Sequence, residues 1–287
     1  MDCEKFNLKE AACLGIAGNF TGHLEQAGEA AGFAGIKAAD KNAPKGIFPT
    51  YIPGPAGSVP GYLTVFPFDS DRIVFPRGEQ NLQIEPECAL VCTVRWNGAK
   101  AAELVPVLFG ASNDCSVRGS GAEKISMKKN WGPSSKGISR NLIPVGAFES
   151  GGTISGYRIA SFLVRHNEVS AYGEDSPVSG YSCIYKNLLD WTVGQLNSQQ
   201  DEGPLENVGA YLNDAGRPQK IVLSIGSTRY TEFGQRTFLQ DGDAAVVVLY
   251  QERKYSPDDI AAMVQDGTVA LDKENSVLWQ SVRAGAF

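Results

Sequence analysis

The sequence predicts a β-rich α+β fold, with an antiparallel or mixed sheet and peripheral helices. Three observations support this. Four apolar, β-prone runs are short and bounded by turn residues, as buried strands are: A-L-V-C-T-V from Ala89, L-V-P-V-L-F-G from Leu104, I-V-L-S-I-G from Ile221 and A-A-V-V-V-L-Y from Ala244. The chain carries 32 Gly and 15 Pro in 287 residues, a turn-rich composition. Helical spacing is largely confined to an insertion, so the order is strands, helices, then strands again, unlike the regular alternation of a doubly wound sheet.

In chain order, A-A-C-L-G-I-A-G-N-F opens the first apolar stretch, and G-H-L-E-Q-A-G-E-A-A-G-F reads as a short helix. Lys41 to Gly61 is Pro/Gly-rich and reads as a long irregular loop, a feature more often functional than idle. Strand-like runs continue to about Val117, and a second irregular stretch covers Met127 to Ser139. Tyr157 to Val164 is a strand, with R-H-N-E-V-S as its hairpin turn. Ile184, Tyr185, Leu188, Leu189, Thr192 and Leu196 recur at helical spacing, predicting a helix from Tyr181 to about Gln199. A second helix is expected to start at Pro204 and stop near Gly216. Ser256, Pro257 and Asp259 form a capping signature, with Gly267 as the stop. The expected organisation is an N-terminal segment and loop over 1–62 packed on a catalytic domain over 63–287, one compact unit overall.

Hydrophobic content of 43% suits a globular core, and a net charge of −6 without a basic segment argues against nucleic acid or an anionic membrane as partner. M-D-C-E-K-F is acidic and no apolar run follows, so no secretory signal is expected. The run Ala244 to Tyr250 is too short to span a bilayer. Cys3, Cys13, Cys88, Cys92, Cys115 and Cys183 include no C-x-x-C, and Cys88 and Cys92 lie too far apart along one strand face to bridge. Buried, reduced thiols in a cytoplasmic protein are expected.

Three carboxylates carry most of the chemical information. Glu85 and Glu87 stand at i and i+2 of a strand and so share a face; Asp114 follows the next β-prone run. Hard divalent cations take oxygen ligands, and three carboxylates supply them. Pro86 has no N–H for a ladder, so the pair belongs at a strand start or on an edge. E-x-E on a strand is also a common solvated face, and spacing alone does not decide.

The order of motifs resembles the fumarylacetoacetate hydrolase superfamily. The pieces are G-I-A-G-N-F-T-G-H (15–23), Glu85-Pro86-Glu87, N-D-C-S-V-R (113–118), Lys136-Gly137, Pro144-Val145-Gly146, S-I-G-S-T (224–228) and Gly242-Asp243. The resemblance spans about residues 13 to 250. It implies a β-rich roll of mixed sheets, usually homodimeric, that binds Mg2+, Mn2+ or Ca2+ and acts on a small carboxylate substrate. Glu85, Glu87 and Asp114 would be the metal ligands. Lys136 would hold a substrate oxygen or stabilise a developing carbanion, although M-K-K-N-W-G-P-S-S-K also reads as a basic, exposed patch. Arg118 would bind substrate or offset the carboxylates. Gly226, Ser227 and Thr228 would offer anion-binding N–H groups, or simply form a tight strand-end turn.

The sequence departs from the family pattern at several points. His23 should pair with a glutamate three residues on, but Gln26 stands there; Glu25 lies two on and Glu29 six on. His23 with Glu25 would handle water or a proton. Gly119 follows Arg118, and Ser139 replaces an aspartate of the lysine loop. G-S-T-R-Y-T brings Arg229 and Tyr230 near the expected pocket. His166, in a hairpin turn, is expected to be exposed. The expected function is a metal-dependent enzyme acting on a small 2-oxo or β-diketo acid, with C–C hydrolysis through a metal-stabilised enolate as the leading reaction. Decarboxylation, hydration or isomerisation on the same scaffold, or non-catalytic metal or metabolite binding, are the alternatives.

Overall fold

Two facing sheets make the body of the protein, and each strand that lines the candidate site ends at one corner of the larger sheet. The computed structural model describes residues 6–33, 35, 36, 43–55 and 57–285; Cys3 and part of the Lys41–Gly61 stretch lie outside them. In chain order come β1 (Ala12–Ala17), α1 (His23–Gln26), β2 (Gly46–Tyr51), β3 (Arg72–Val74), β4 (Leu82–Gln83), β5 (Pro86–Asn97) and β6 (Lys100–Asn113). Short strands β7 (Ser116–Val117), β8 (Gly137–Ile138) and β9 (Ile143–Pro144) follow, then β10 (Tyr157–Arg165) and β11 (Glu168–Pro177). The remaining elements are α2 (Tyr185–Ser198), α3 (Val208–Asp214), β12 (Lys220–Ser227), α4 (Glu232–Arg236), β13 (Ala244–Gln251), α5 (Pro257–Gln265) and β14 (Ser276–Arg283).

The larger sheet runs β2-β1-β12-β5-β6-β8, with β9 also on β6; the second runs β11-β10-β13-β14-β3, and β4 pairs β7. β1 lies parallel to β12 and β3 to β14; the other pairings are antiparallel. The sheets are therefore mixed. Alternation along β5 explains why it is buried on both faces. Cys88, Leu90, Cys92 and Val94 point into the core between the sheets, while Ala89 and Val91 face a second cluster with Cys13, Leu108 and Val222. Phe109 meets Tyr157 edge-to-face across the sheet interface, ring centres 4.9 Å apart. α5 covers the outer face of the second sheet through Ile260 and Val264.

Several local expectations hold. Ser256 and Asp259 form a reciprocal capping box with Pro257 in the first turn of α5. His166 and Asn167 both take positive φ in the β10–β11 turn, and His166 is exposed. Cys13, Cys88, Cys92 and Cys115 are buried free thiols. No helix among the described residues is long and apolar enough to cross a membrane.

Others need correction. Residues 46–51 inside the expected loop form β2, antiparallel to β1; Pro49 is tolerated because β2 is the edge strand. β1 and β2 are thus built into the same sheet as β5 and β12. The G-H-L-E-Q-A-G-E-A-A-G-F stretch gives only the single turn α1 and a 3-10 turn over Ala30–Phe33, since its glycines disfavour a longer helix. α2 starts at Tyr185, four residues late, because Tyr181 is spent as a buried anchor: its hydroxyl donates to the Gly226 carbonyl at 2.7 Å and accepts from the Cys88 N–H at 3.3 Å. α3 starts at Val208, where Asn207 caps by accepting from the Ala210 N–H at 3.0 Å.

Candidate functional site

Where β5 begins and β6 ends, the backbone fixes the acidic trio. Pro86 opposes Asn113, and Glu87 opposes Ser112 on one side and Ser227 on the other. The Glu85 N–H donates to Asn113 Oδ1 (3.1 Å) and the Asp114 N–H to the Glu85 carbonyl (3.0 Å), which closes the corner. Pro86 thus sits at a strand start in the middle of the sheet, where its missing N–H costs nothing. Asn113 reaches the second sheet by donating to Gln280 Oε1 (3.1 Å), and Gln280 packs against Gly137, where a Cβ would approach to 2.3 Å.

Glu85, Glu87 and Asp114 are buried at 5%, 2% and 2% exposure, and one ligand atom from each lies within 4.8 Å of the others. Buried carboxylates this close demand counter-charge. Arg118 Nη2 pairs with Glu85 Oε1 at 2.6 Å. Lys129 Nζ lies 2.6 Å from Glu85 Oε2, 2.6 Å from Asp114 Oδ2 and 3.0 Å from the Asp114 carbonyl. That ammonium is the ion-pair neighbour of Asp114 Oδ2, an oxygen with no other hydrogen-bond partner among the described residues. Lys136, fully buried, pairs with Asp114 Oδ1 at 3.2 Å and donates to the Cys115 carbonyl.

These contacts set the protonation states. Burial would raise the Glu85 carboxyl, but Lys129 and Arg118 hold it well below the usual range. Burial and the neighbouring Asp114 push Glu87 well above it, and Glu87 Oε2 accepts the Gly226 N–H at 2.9 Å. Burial would lower Lys129, but Asp114 and Glu85 raise it instead; Lys136 is lowered by burial. His23, on α1, is buried; desolvation lowers it to about 4, so it is neutral at neutral pH. Its Nδ1 has no hydrogen-bond partner, and its ring lies 5.2 Å from that of Tyr230.

A cavity of about 20 Å3, room for about one water, lies against this cluster. His23, Glu29, Glu85, Glu87, Lys129 and Ser227 line it, with Phe48 as an apolar wall. Phe48 reaches that position because Gly15 on β1 carries no side chain; a Cβ there would meet the ring at 2.3 Å. A roomier cavity of about 770 Å3, between residues 75–81 and 236–241, touches none of the three carboxylates.

A family model covers residues 29–282, described as a family of unknown function (DUF5718). The chain belongs to the DUF5718 family. No curated protein matches it in sequence. Among solved structures it is similar to Cg1458 with inhibitor at 15% identity and a TM-score of 0.52, over 96% of this chain and 77% of that one. It is similar to 2-keto-3-deoxyarabinonate dehydratase at 13% and 0.50, over 96% and 73%. A third is 5-carboxymethyl-2-hydroxymuconate delta-isomerase from Mycobacterium smegmatis, at 14% and 0.50, over 96% and 80%. At these identities the likeness is one of fold, and that fold is the fumarylacetoacetate hydrolase type that the motif order implied.

Within this DUF5718 chain, the structure brings together Glu85, Glu87, Asp114, Arg118, Lys136 and His23. It does not bring in Glu25, which is exposed on α1. Glu29 reaches the site instead, pairing with Arg118 Nη1 and, at 2.5 Å, with Lys128 Nζ. Gln26 is occupied by the backbone of Tyr230, accepting from its N–H at 2.8 Å and donating to its carbonyl at 3.2 Å. The Gly226–Thr228 turn has fewer free donors than expected: the Gly226 N–H is taken by Glu87 and the Thr228 N–H by the Pro86 carbonyl. Lys136 sits behind Asp114 and is absent from the cavity wall. Lys129, unnoticed in the sequence, is the lysine that faces the cavity. Of the G-S-T-R-Y-T pair, Tyr230 enters the cluster by accepting from Arg118 Nη2 at 2.7 Å, while Arg229 makes a half-exposed pair with Glu174.

Proposed function

We propose that this protein is a divalent-metal-dependent enzyme acting on a small 2-oxo or β-diketo acid through an enolate. The observation that carries the reading is the buried trio of Glu85, Glu87 and Asp114, three carboxylates on a fold shared with a keto-acid dehydratase and a muconate isomerase. The donor set fits a hard ion in kind: all three ligands are carboxylate oxygens and they converge in a buried corner. Bound there, Mg2+ or Mn2+ (or Ca2+) would supply Lewis-acid polarisation of a 2-oxo carbonyl.

The remaining chemistry belongs to the chain. His23 is neutral and has an open Nδ1, so it can accept a proton from a substrate carbon or from one water held in the cavity. Lys129 on the cavity wall offers positive charge to a substrate carboxylate or a developing enolate. Arg118 does not face substrate in this reading; it is a positioning residue that holds Glu85, Glu29 and Tyr230. Lys136 acts through Asp114 in the same way.

A second reading favours proton-transfer chemistry (isomerisation, dehydration or decarboxylation) over C–C hydrolysis. Its support is the exposure of Glu25, which leaves His23 without the carboxylate partner that water activation uses. Calorimetric titration of Mg2+ and Mn2+ into the wild type and Glu87→Ala, with oxalate and pyruvate as carboxylate mimics, tests the site. The wild type should bind metal and then oxalate, and Glu87→Ala should lose both. A wild type without affinity for either ion would refute the assignment. Deuterium wash-in at C3 of 2-oxo acids, absent in His23→Asn, would separate enolate chemistry from simple binding.

A further inference from the structure

Lys129 is placed with unusual care for a lysine. Its backbone is pinned on both sides: Ser126 is held by Glu206 and Tyr62, and Asn130 donates to the carbonyls of Thr50 (2.8 Å) and Val65 (2.9 Å). Its stem packs so that Nζ lies 5.5 Å from the centre of the Phe48 ring. The ammonium ends between Glu85 Oε2 and Asp114 Oδ2, 2.6 Å from each, with the Asp114 carbonyl at 3.0 Å. A divalent ion held by the trio would sit about 2.0–2.6 Å from the same oxygens. The two cations would be near neighbours in a buried space with room for about one water.

We infer that the Lys129 ammonium is the resident cation of the trio, and that a divalent ion binds only by exchanging with it for Glu85 and Asp114. This rests on the metal reading above. Charge matching supports the exchange. Glu85, Glu87, Asp114 and Glu29 already face four cationic side chains, Arg118, Lys128, Lys129 and Lys136, so the cluster has no unanswered negative charge and an added ion would bring two further positive charges into it. The arrangement also identifies which cation can leave. Arg118 is fixed by four partners, including Gln83 Oε1 at 2.8 Å, and Lys136 is enclosed behind Asp114. Lys128 pairs with Glu29 and not with the trio, and Lys129 alone of the four lines the cavity, on a flexible four-carbon stem whose backbone stays anchored.

The test is calorimetric titration of Mn2+ into the wild type, Lys129→Met, Lys128→Met and the double variant Lys129→Met/Glu87→Ala. Lys129→Met should bind Mn2+ at least tenfold more tightly than the wild type, while Lys128→Met stays within threefold and the double variant loses the gain. Mn2+ should also raise the melting temperature of Lys129→Met more than that of the wild type. Equal or weaker binding by Lys129→Met, in a wild type that binds Mn2+, overturns the exchange and leaves the metal reading standing. A wild type that binds no Mn2+ removes the metal reading itself, whatever the variants do. Should Lys129→Met fail to fold, lysine 15Nζ spectra of the wild type decide. Protected ammonium signals from Lys129 and Lys136 are expected without Mg2+, and one should be lost on adding it; retention of both overturns the inference.

Discussion

Glu206 offers a sharp test of how the turn that carries Lys129 is held. Its carboxylate is 2% exposed; one oxygen accepts from Ser126 Oγ, and the other, Oε2, has no partner. Burial raises its pKa from 4.5 to about 7, against the weaker opposing pull of Ser126 and Lys124. The folded state therefore binds the proton more tightly than the unfolded chain. Between pH 4.5 and about 7 the native protein holds more protons, so stability falls as pH rises through that window. Below it the penalty is absent; above it the penalty is fully present. At about 1.4 kcal/mol per pH unit the whole effect is at most about 3.5 kcal/mol. Glu206→Gln removes the charge but leaves an amide N–H with no evident acceptor, a cost of about 1 kcal/mol. The variant should therefore match or fall slightly below the wild type at pH 5, and exceed it by about 2 kcal/mol at pH 8.5. Urea unfolding at both values measures this. If the difference between wild type and variant is the same at pH 5 and 8.5, Glu206 does not titrate in the folded protein and the argument fails.

Other perturbations probe the cluster. Arg118→Met strips the guanidinium that bridges Glu85 and Glu29 and should cost about 3–5 kcal/mol in urea unfolding, since breaking a buried pair leaves an unmatched charge; a loss below about 1 kcal/mol would contradict the charge matching. The His23 imidazole should show no titration in NMR spectra from pH 8 to 5.5, because desolvation keeps it neutral down to about 4. The unfolded chain takes up this proton near 6.5, so stability should decline as pH falls from there towards 4, and His23→Asn should flatten that slope. Gly15→Ala forces a Cβ into the Phe48 ring and should destabilise by about 1–3 kcal/mol. His166→Asn keeps the positive-φ turn and lies far from the cluster in sequence and exposure; its turnover should equal that of the wild type, whereas His23→Asn should abolish turnover with metal binding intact.

What was legible in the sequence was what local pattern encodes. β5, β12 and β13 announce themselves as short apolar runs, α5 by its capping box, and the β10–β11 hairpin by residues that tolerate positive φ. The metal-type carboxylates were legible because Glu85 and Glu87 share a strand face and Asp114 follows the next strand. Long-range placement was not. β2 looked like loop because Pro49 argues against a strand, and only its edge position makes the proline harmless. Lys129 carries no signal of its own: in M-K-K-N-W it resembles any solvated lysine. It is buried because Asn130 and Ser126 tie the turn to β2 and to Glu206, partners 80 residues away in both cases. Glu29 was masked in the same way, since its role depends on Arg118, 89 residues later.

These distant contacts change what the trio means. Three buried carboxylates would be unstable without counter-charge, which the motif reading assigns to a metal ion, with Arg118 as a further offset. With Arg118, Lys129 and Lys136 in place, the corner is charge-matched by the chain itself, so folding and metal binding are separable. The carboxylates also cease to be equivalent. Glu85 is held ionised by two cations, whereas Glu87 is pushed towards its protonated form by burial and Asp114, against the weaker pull of Lys129 and the Gly226 N–H. An incoming divalent ion would therefore have to release a proton from Glu87 as well as the ammonium from Glu85 and Asp114. Glu87 is accordingly the residue whose removal should cost metal affinity most while costing the metal-free fold least. Arg118, which binds no metal in this scheme, should show the opposite balance.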